Sequence, residues 1–271
     1  IINRAVKQPI KVLLVSIDAC RFDNISFQTT PWISSLRARR YLNCYSNATW
    51  TIPGHVEMLS GEDAVKYSDI LFPDGCTGEE SLLWARYNKK PDFIQEYLSK
   101  KGIICCAFVG GGYMGEDFGF NKGFDVYIDY VDSVDKRPER DDMIRLIKIL
   151  NKTKKSYFAF YHTYDVHGWG RFDKQDTTKL IGMEWRSKNG ETERKRCLNS
   201  IVIVDENVKN IYESMGKNSY LIITADHGDE YTADGKYIGH GGPQRESVIH
   251  VPLIIYGPGI EHINISEKIY I

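Results

Sequence analysis

The sequence predicts an α/β fold in which a central, mostly parallel sheet carries helices on both faces. Two observations carry that reading. Short apolar runs recur along the chain with helical patterns between them, and the strongest run, KVLLVSID, is continuous rather than alternating, the pattern of a strand buried on both faces. No repeat, low-complexity tract or composition shift divides the 271 residues, so residues 1–271 are expected to form one domain.

The elements follow in order. Residues 11–18 form the first strand, and later strands are expected at 103–109 (IICCAFV), 157–161 (YFAFY), 220–225 (YLIITA) and 251–256 (VPLIIY). Helical spacing marks residues 31–40, 53–59, 91–101, 140–150 and about 193–215. Two polar stretches, 62–90 and 168–189, are longer than a usual connection between strand and helix and are candidates to shape a substrate mouth.

Composition bounds the partners. With 17 Tyr, 11 Phe and 5 Trp the chain can bury a large core, and 35 basic against 36 acidic residues leave a net charge of −1. That balance removes the global basic footprint of a nucleic-acid binder. No apolar run approaches the ~18 residues of a membrane span. The six cysteines (Cys20, Cys44, Cys76, Cys105, Cys106, Cys197) lack metal-ligand spacing and read as buried reduced thiols, which favours a cytoplasmic location. The absence of an initiating Met leaves room for a removed leader.

Ligands of an open parallel sheet collect beyond the carboxyl ends of its strands. Asp18 ends the first strand, Asp165 and His167 follow YFAFY, Asp226 and His227 follow YLIITA, and His240 lies in the loop GHGGP. Singly, each has a plain structural explanation as a turn, cap or surface residue. Together they form a mixed oxygen and nitrogen ligand set suited to Zn²⁺ or Mn²⁺. In ATWTIPGHVEMLSG, Thr51 stands at or just before a helix start, with Pro53 in the first turn. It is either an ordinary N-cap or a nucleophile whose hydroxyl a metal and a helix N-terminus activate. His55, one turn further on, is a candidate substrate contact.

The motifs VSIDACRFDN, NATWTIPGHVEMLSG, YHTYDVHG, ITADHGDEY and GHGGPQRESVIHVPLIIYGPG, in that order, resemble the sulfatase-like branch of the alkaline phosphatase superfamily over nearly the whole chain. The resemblance implies an alkaline phosphatase/sulfatase-like fold with the site at the carboxyl edge of the sheet. It also implies Asp18, Thr51, Asp226 and His227 as one metal site with Thr51 as nucleophile. Asp165, His167 and His240 match positions that bind a second metal or the anionic group of the substrate. The spacing is not Asp-x-x-x-His, because Trp169 stands four residues after Asp165.

Departures from the family pattern direct the chemistry. Sulfatases of this branch mature Cys or Ser in a Cys-x-Pro-x-Arg type motif to formylglycine, and Thr51, Pro53 and His55 occupy those places here. Thr cannot yield that aldehyde. Ala19 interrupts the carboxylate pair that often follows the first strand. The expected activity is therefore metal-dependent hydrolysis of phosphate mono- or diesters, with one Zn²⁺ or Mn²⁺ and room for a second, acting on a small anionic ester. The alternatives are a phosphotransferase or mutase, a sulfuric ester hydrolase, and an inactive binding domain. Relatives continue past VPLIIYGPG with another strand and a C-terminal region, so the chain is read as truncated at that end.

Overall fold

In the computed structural model, which describes residues 8–67, 91–110, 112–130, 140–167 and 193–271, strand β1 (Lys11–Ile17) lies inside an eight-stranded sheet. Its other members are β2 (Arg39–Tyr45), β3 (Ile104–Val109), β4 (Val126–Asp129), β5 (Tyr157–Thr163), β6 (Ser219–Thr224), β9 (Leu253–Tyr256) and β10 (Ile263–Tyr270). The order is β10-β2-β9-β6-β1-β5-β3-β4. Only β9 runs against its neighbours; every other pairing in this sheet is parallel. A separate ribbon pairs β7 (Glu230–Tyr231) with β8 (Tyr237–Gly239).

Alternation along the central strands builds two cores. Leu13, Val15 and Ile17 of β1 share one cluster with Cys106, Phe108, Tyr157, Ala159 and Tyr161, whereas Leu14 joins Cys105, Ala107, Val109, Phe158 and Phe160 in the other. The first core is covered by α1 (Pro31–Ser35), α4 (Arg140–Thr153) and α5 (Glu193–Met215), the second by α2 (Thr51–Ser60) and α3 (Ile94–Lys100). A short helix, α6 (Glu246–Ile249), precedes β9. Helices therefore lie on both faces, as the pattern predicts.

Three expectations need correction. The helix expected over 31–40 stops at Ser35, and RRYLNCY turns into β2. The Arg40 guanidinium donates back to the carbonyls of Ile33, Ser34 and Leu36 at 2.8, 3.2 and 3.1 Å, satisfying the groups that a continuing helix would have bonded. At its other end α1 is capped from a distant element, because the Asp205 carboxylate of α5 accepts the Trp32 and Ile33 N–H groups, both at 2.9 Å. Edge strands β4 and β10 were not expected; both lack the long apolar run of an inner strand, and β10 is largely exposed. With β10 present, a further strand does follow VPLIIYGPG.

The reversed direction of β9 follows from the path that feeds it. The chain enters β9 at the carboxyl edge where β6 ended, with Leu253 opposite Thr224, so β9 has to run back. Cys20, Cys44, Cys105, Cys106 and Cys197 are buried and unpaired, while Cys76 lies outside the described residues. So do Trp169, the stretch 168–189 and most of 62–90. No helix among the described residues is long and apolar enough to cross a membrane.

Candidate metal centre and nucleophile

Asp18 leaves β1 at its carboxyl end and is fully buried. The chain turns at once: Ala19 adopts φ 60°, a left-handed conformation costly for a residue with a Cβ, and its N–H points to Asp226 Oδ1 at 3.4 Å. Asp226 and His227 follow β6, the strand beside β1, and both are also fully buried. His227 Nδ1 lies 2.9 Å from the Gly228 carbonyl, which can only accept, so Nδ1 carries the proton and Nε2 keeps its lone pair.

That Nε2 lies 3.6 Å from Asp18 Oδ1 and 3.4 Å from Asp226 Oδ2. All three atoms are buried without a hydrogen-bond partner among the described residues. Bonds of about 2.0–2.2 Å in a tetrahedral zinc site imply ligand-to-ligand edges of roughly 3.3–3.6 Å. Both measured separations match such edges, so the donor set fits a divalent cation. Electrostatics agree. Burial and the Asp18 charge raise the Asp226 pKa, and although burial acts to lower His227, the two carboxylates outweigh it and raise it. Two carboxylates confined this closely call for positive charge between them.

Thr51 is the first residue of α2 and is 2% exposed. Trp50 occupies the N-cap position, and its side chain makes no capping hydrogen bond. The Thr51 hydroxyl donates instead to Asp18 Oδ2, at 3.3 Å. The ordinary N-cap reading of Thr51 is thereby corrected: the hydroxyl is turned to the ligand cluster, away from the backbone it would have capped. Pro53 has no N–H to lose in this first turn, and the helix N-terminus presents positive potential to an anion.

His167 and His240 close the outer side. Their Nε2 atoms are 3.3 Å apart, and the His240 ring stands 4.3 Å from that of His227. The Tyr164 hydroxyl is 3.2 Å from His167 Nε2. Burial lowers the His167 pKa despite the Asp18 charge, which favours the neutral ring. His240 Nδ1 lies 2.6 Å from Asp229 Oδ1.

The family model for Sulfatase matches residues 11–270. The chain belongs to the Sulfatase family. Among curated proteins, none matches it by sequence. Solved structures share its fold at low identity. A protein of the alkaline phosphatase superfamily from Vibrio parahaemolyticus is 13% identical, with TM-score 0.68 over 97% of this chain and 64% of that one. The integral membrane lipooligosaccharide phosphoethanolamine transferase A from Neisseria meningitidis is 17% identical, with TM-score 0.64 over 93% of this chain and 48% of that one. The C-terminal periplasmic domain of EcEptC from Escherichia coli, in complex with Zn, is 14% identical, with TM-score 0.63 over 92% of this chain and 73% of that one.

This sulfatase-family structure brings Asp18, Thr51, Asp226, His227, His167 and His240 together. It does not place His55 and Asp165 as expected. His55 is fully buried, with Nδ1 2.8 Å from the Thr51 carbonyl and Nε2 2.9 Å from Ser16 Oγ. Both nitrogens are engaged inside the protein, so His55 ties α2 to β1 and does not face substrate. Asp165 belongs to neither of the two groups of ligand atoms found among the described residues, which are Asp18 with Asp226 and His227, and Asp229 with His227 and His240.

Two residues were missed. His162, opposite Ser16 in the sheet, is buried with Nε2 3.1 Å from Asp18 Oδ2. Its signal was parity, since it follows Phe158 and Phe160 on the same face of β5 and so projects toward α2. Asp229 stood in plain view two residues after His227, but only the fold reveals its proximity to His240.

Proposed function

We propose that this chain hydrolyses phosphate mono- or diesters, with Thr51 as nucleophile and a divalent cation, zinc or manganese, held by Asp18, Asp226 and His227. The observation that carries the reading is the Thr51 hydroxyl, aimed at Asp18 from the first turn of a buried helix, beside three ligand atoms that have no hydrogen-bond partner among the described residues. A cation bound by those atoms would supply Lewis acidity, lowering the hydroxyl pKa and polarising the ester. Thr51 Oγ1, its proton released to solvent, attacks phosphorus in line; the Oγ1–P bond forms as the bond to the leaving oxygen breaks, and that oxygen departs as an anion that takes a proton from water. His240 and His167 bind the remaining phosphoryl oxygens and offset the charge that develops there. Water removes the phosphoryl group from Thr51 and restores the hydroxyl.

Thr in place of a formylglycine precursor supports phosphate over sulfate esters. A second reading, transfer of the group to an acceptor other than water, is favoured by the likeness to the lipooligosaccharide phosphoethanolamine transferase. Zinc- or manganese-loaded protein should turn over nitrophenyl phosphate or bis-nitrophenyl phosphate much faster than nitrophenyl sulfate. A clear preference for the sulfate ester would overturn the assignment.

A further inference from the structure

The small ribbon β7–β8 does specific work at the site. Asp229 immediately precedes β7 and His240 immediately follows β8, and the pairing of Glu230 with Gly239 closes the ribbon at its base. Residues 11 apart in sequence are thereby brought side by side. Asp229 is 1% exposed, and its Oδ1 lies 2.6 Å from His240 Nδ1. The Tyr237 hydroxyl stands 3.1 Å from the same nitrogen. Gly239, at φ 111°, takes a conformation closed to most side chains just where the chain leaves β8 for His240.

We propose that Asp229 is the positioning residue of His240. Its carboxylate accepts a hydrogen bond from Nδ1–H and fixes the plane of the ring, so that Nε2 is the atom presented to His167 and to the oxygen of a bound ester. This is the logic by which a carboxylate orients a catalytic imidazole. The rival arrangement, Asp229 and His240 as ligands of a second cation with His227, predicts instead a loss of bound zinc when Asp229 is replaced.

The kinetic consequence rests on the ester-hydrolysis reading; the orientation of the ring does not. Two measurements separate them. In zinc-loaded wild-type protein, nitrogen-15 NMR of the histidine rings should find the His240 proton on Nδ1, in a strong hydrogen bond that Asp229→Ala abolishes. With nitrophenyl phosphate, Asp229→Ala should lower kcat on the order of 100-fold with little change in KM and full zinc content, and Asp229→Ala/His240→Gln should be no slower than His240→Gln alone. A wild-type His240 ring with no proton on Nδ1, additive losses in the double variant, or zinc content that falls with Asp229 would each overturn the proposal. If no phosphate ester is turned over, the hydrolase reading fails, while the wild-type ring spectrum still decides the role of Asp229. That spectrum also decides it should Asp229→Ala not fold.

Discussion

Gly54 of α2 lies against Asp226 so closely that a Cβ at position 54 would stand 2.7 Å from the Asp226 carbonyl oxygen and 3.0 Å from Asp226 Cβ. Helix propensity alone favours Gly54→Ala by about 1 kcal/mol, whereas forcing a methyl group into packed backbone costs about 1–3 kcal/mol. The crowded atoms are main chain and Cβ, which cannot swing aside as the tip of a flexible side chain can. Gly54→Ala should therefore lower the unfolding temperature and weaken zinc binding together, because Asp226 is displaced. Thermal unfolding with and without zinc checks this; a stabilised variant with unchanged zinc affinity would contradict it.

Metal loading should stabilise the protein. At a hundredfold excess of zinc over its Kd the gain is about 2.7 kcal/mol, or roughly 5–10 °C for a chain of this size. The shift should vanish in Asp226→Ala and His227→Ala. A zinc-dependent shift that survives both substitutions would place the cation elsewhere.

Glu57 gives a pH dependence remote from the ligands. Burial, with a contribution from Asp63, pushes its pKa up from 4.5 to about 7, against the Ala64 N–H that its Oε1 accepts. A carboxyl whose folded pKa is raised binds more protons folded than unfolded, so its contribution is complete below about pH 4.5 and is lost as pH rises toward 7. Glu57→Gln should thus match wild type in stability near pH 4 and exceed it by about 1–3 kcal/mol above pH 7. Urea unfolding of metal-free protein at the two pH values measures the difference; equal stabilities at both would remove the argument.

Much of this was legible in the sequence, for reasons particular residues make plain. KVLLVSID and YLIITA are continuous because both faces of β1 and β6 meet packed layers, and the chemistry follows at their ends in Asp18, Asp226 and His227. Edge strands gave no such signal: INISEKIY is half-solvated and polar, and its place beside β2 depends on contacts made across the whole chain. The direction of β9 was equally hidden, since an apolar run has no polarity. His55 misled because helical spacing shows where a side chain emerges but not which layer covers it. Asp229 escaped because a carboxylate near a histidine in sequence is common, and only the ribbon brings it to His240.

Thr51→Ala tests the central claim most directly. The residue is not the helix cap, and Asp18 Oδ2 keeps its contact with His162, so stability should change by about 1 kcal/mol or less and zinc should largely remain. Turnover of nitrophenyl phosphate per zinc-loaded molecule should fall by several orders of magnitude, because the covalent step loses its acceptor, while Thr51→Ser keeps measurable activity. A folded, zinc-loaded Thr51→Ala protein that works at near wild-type rate would contradict the account.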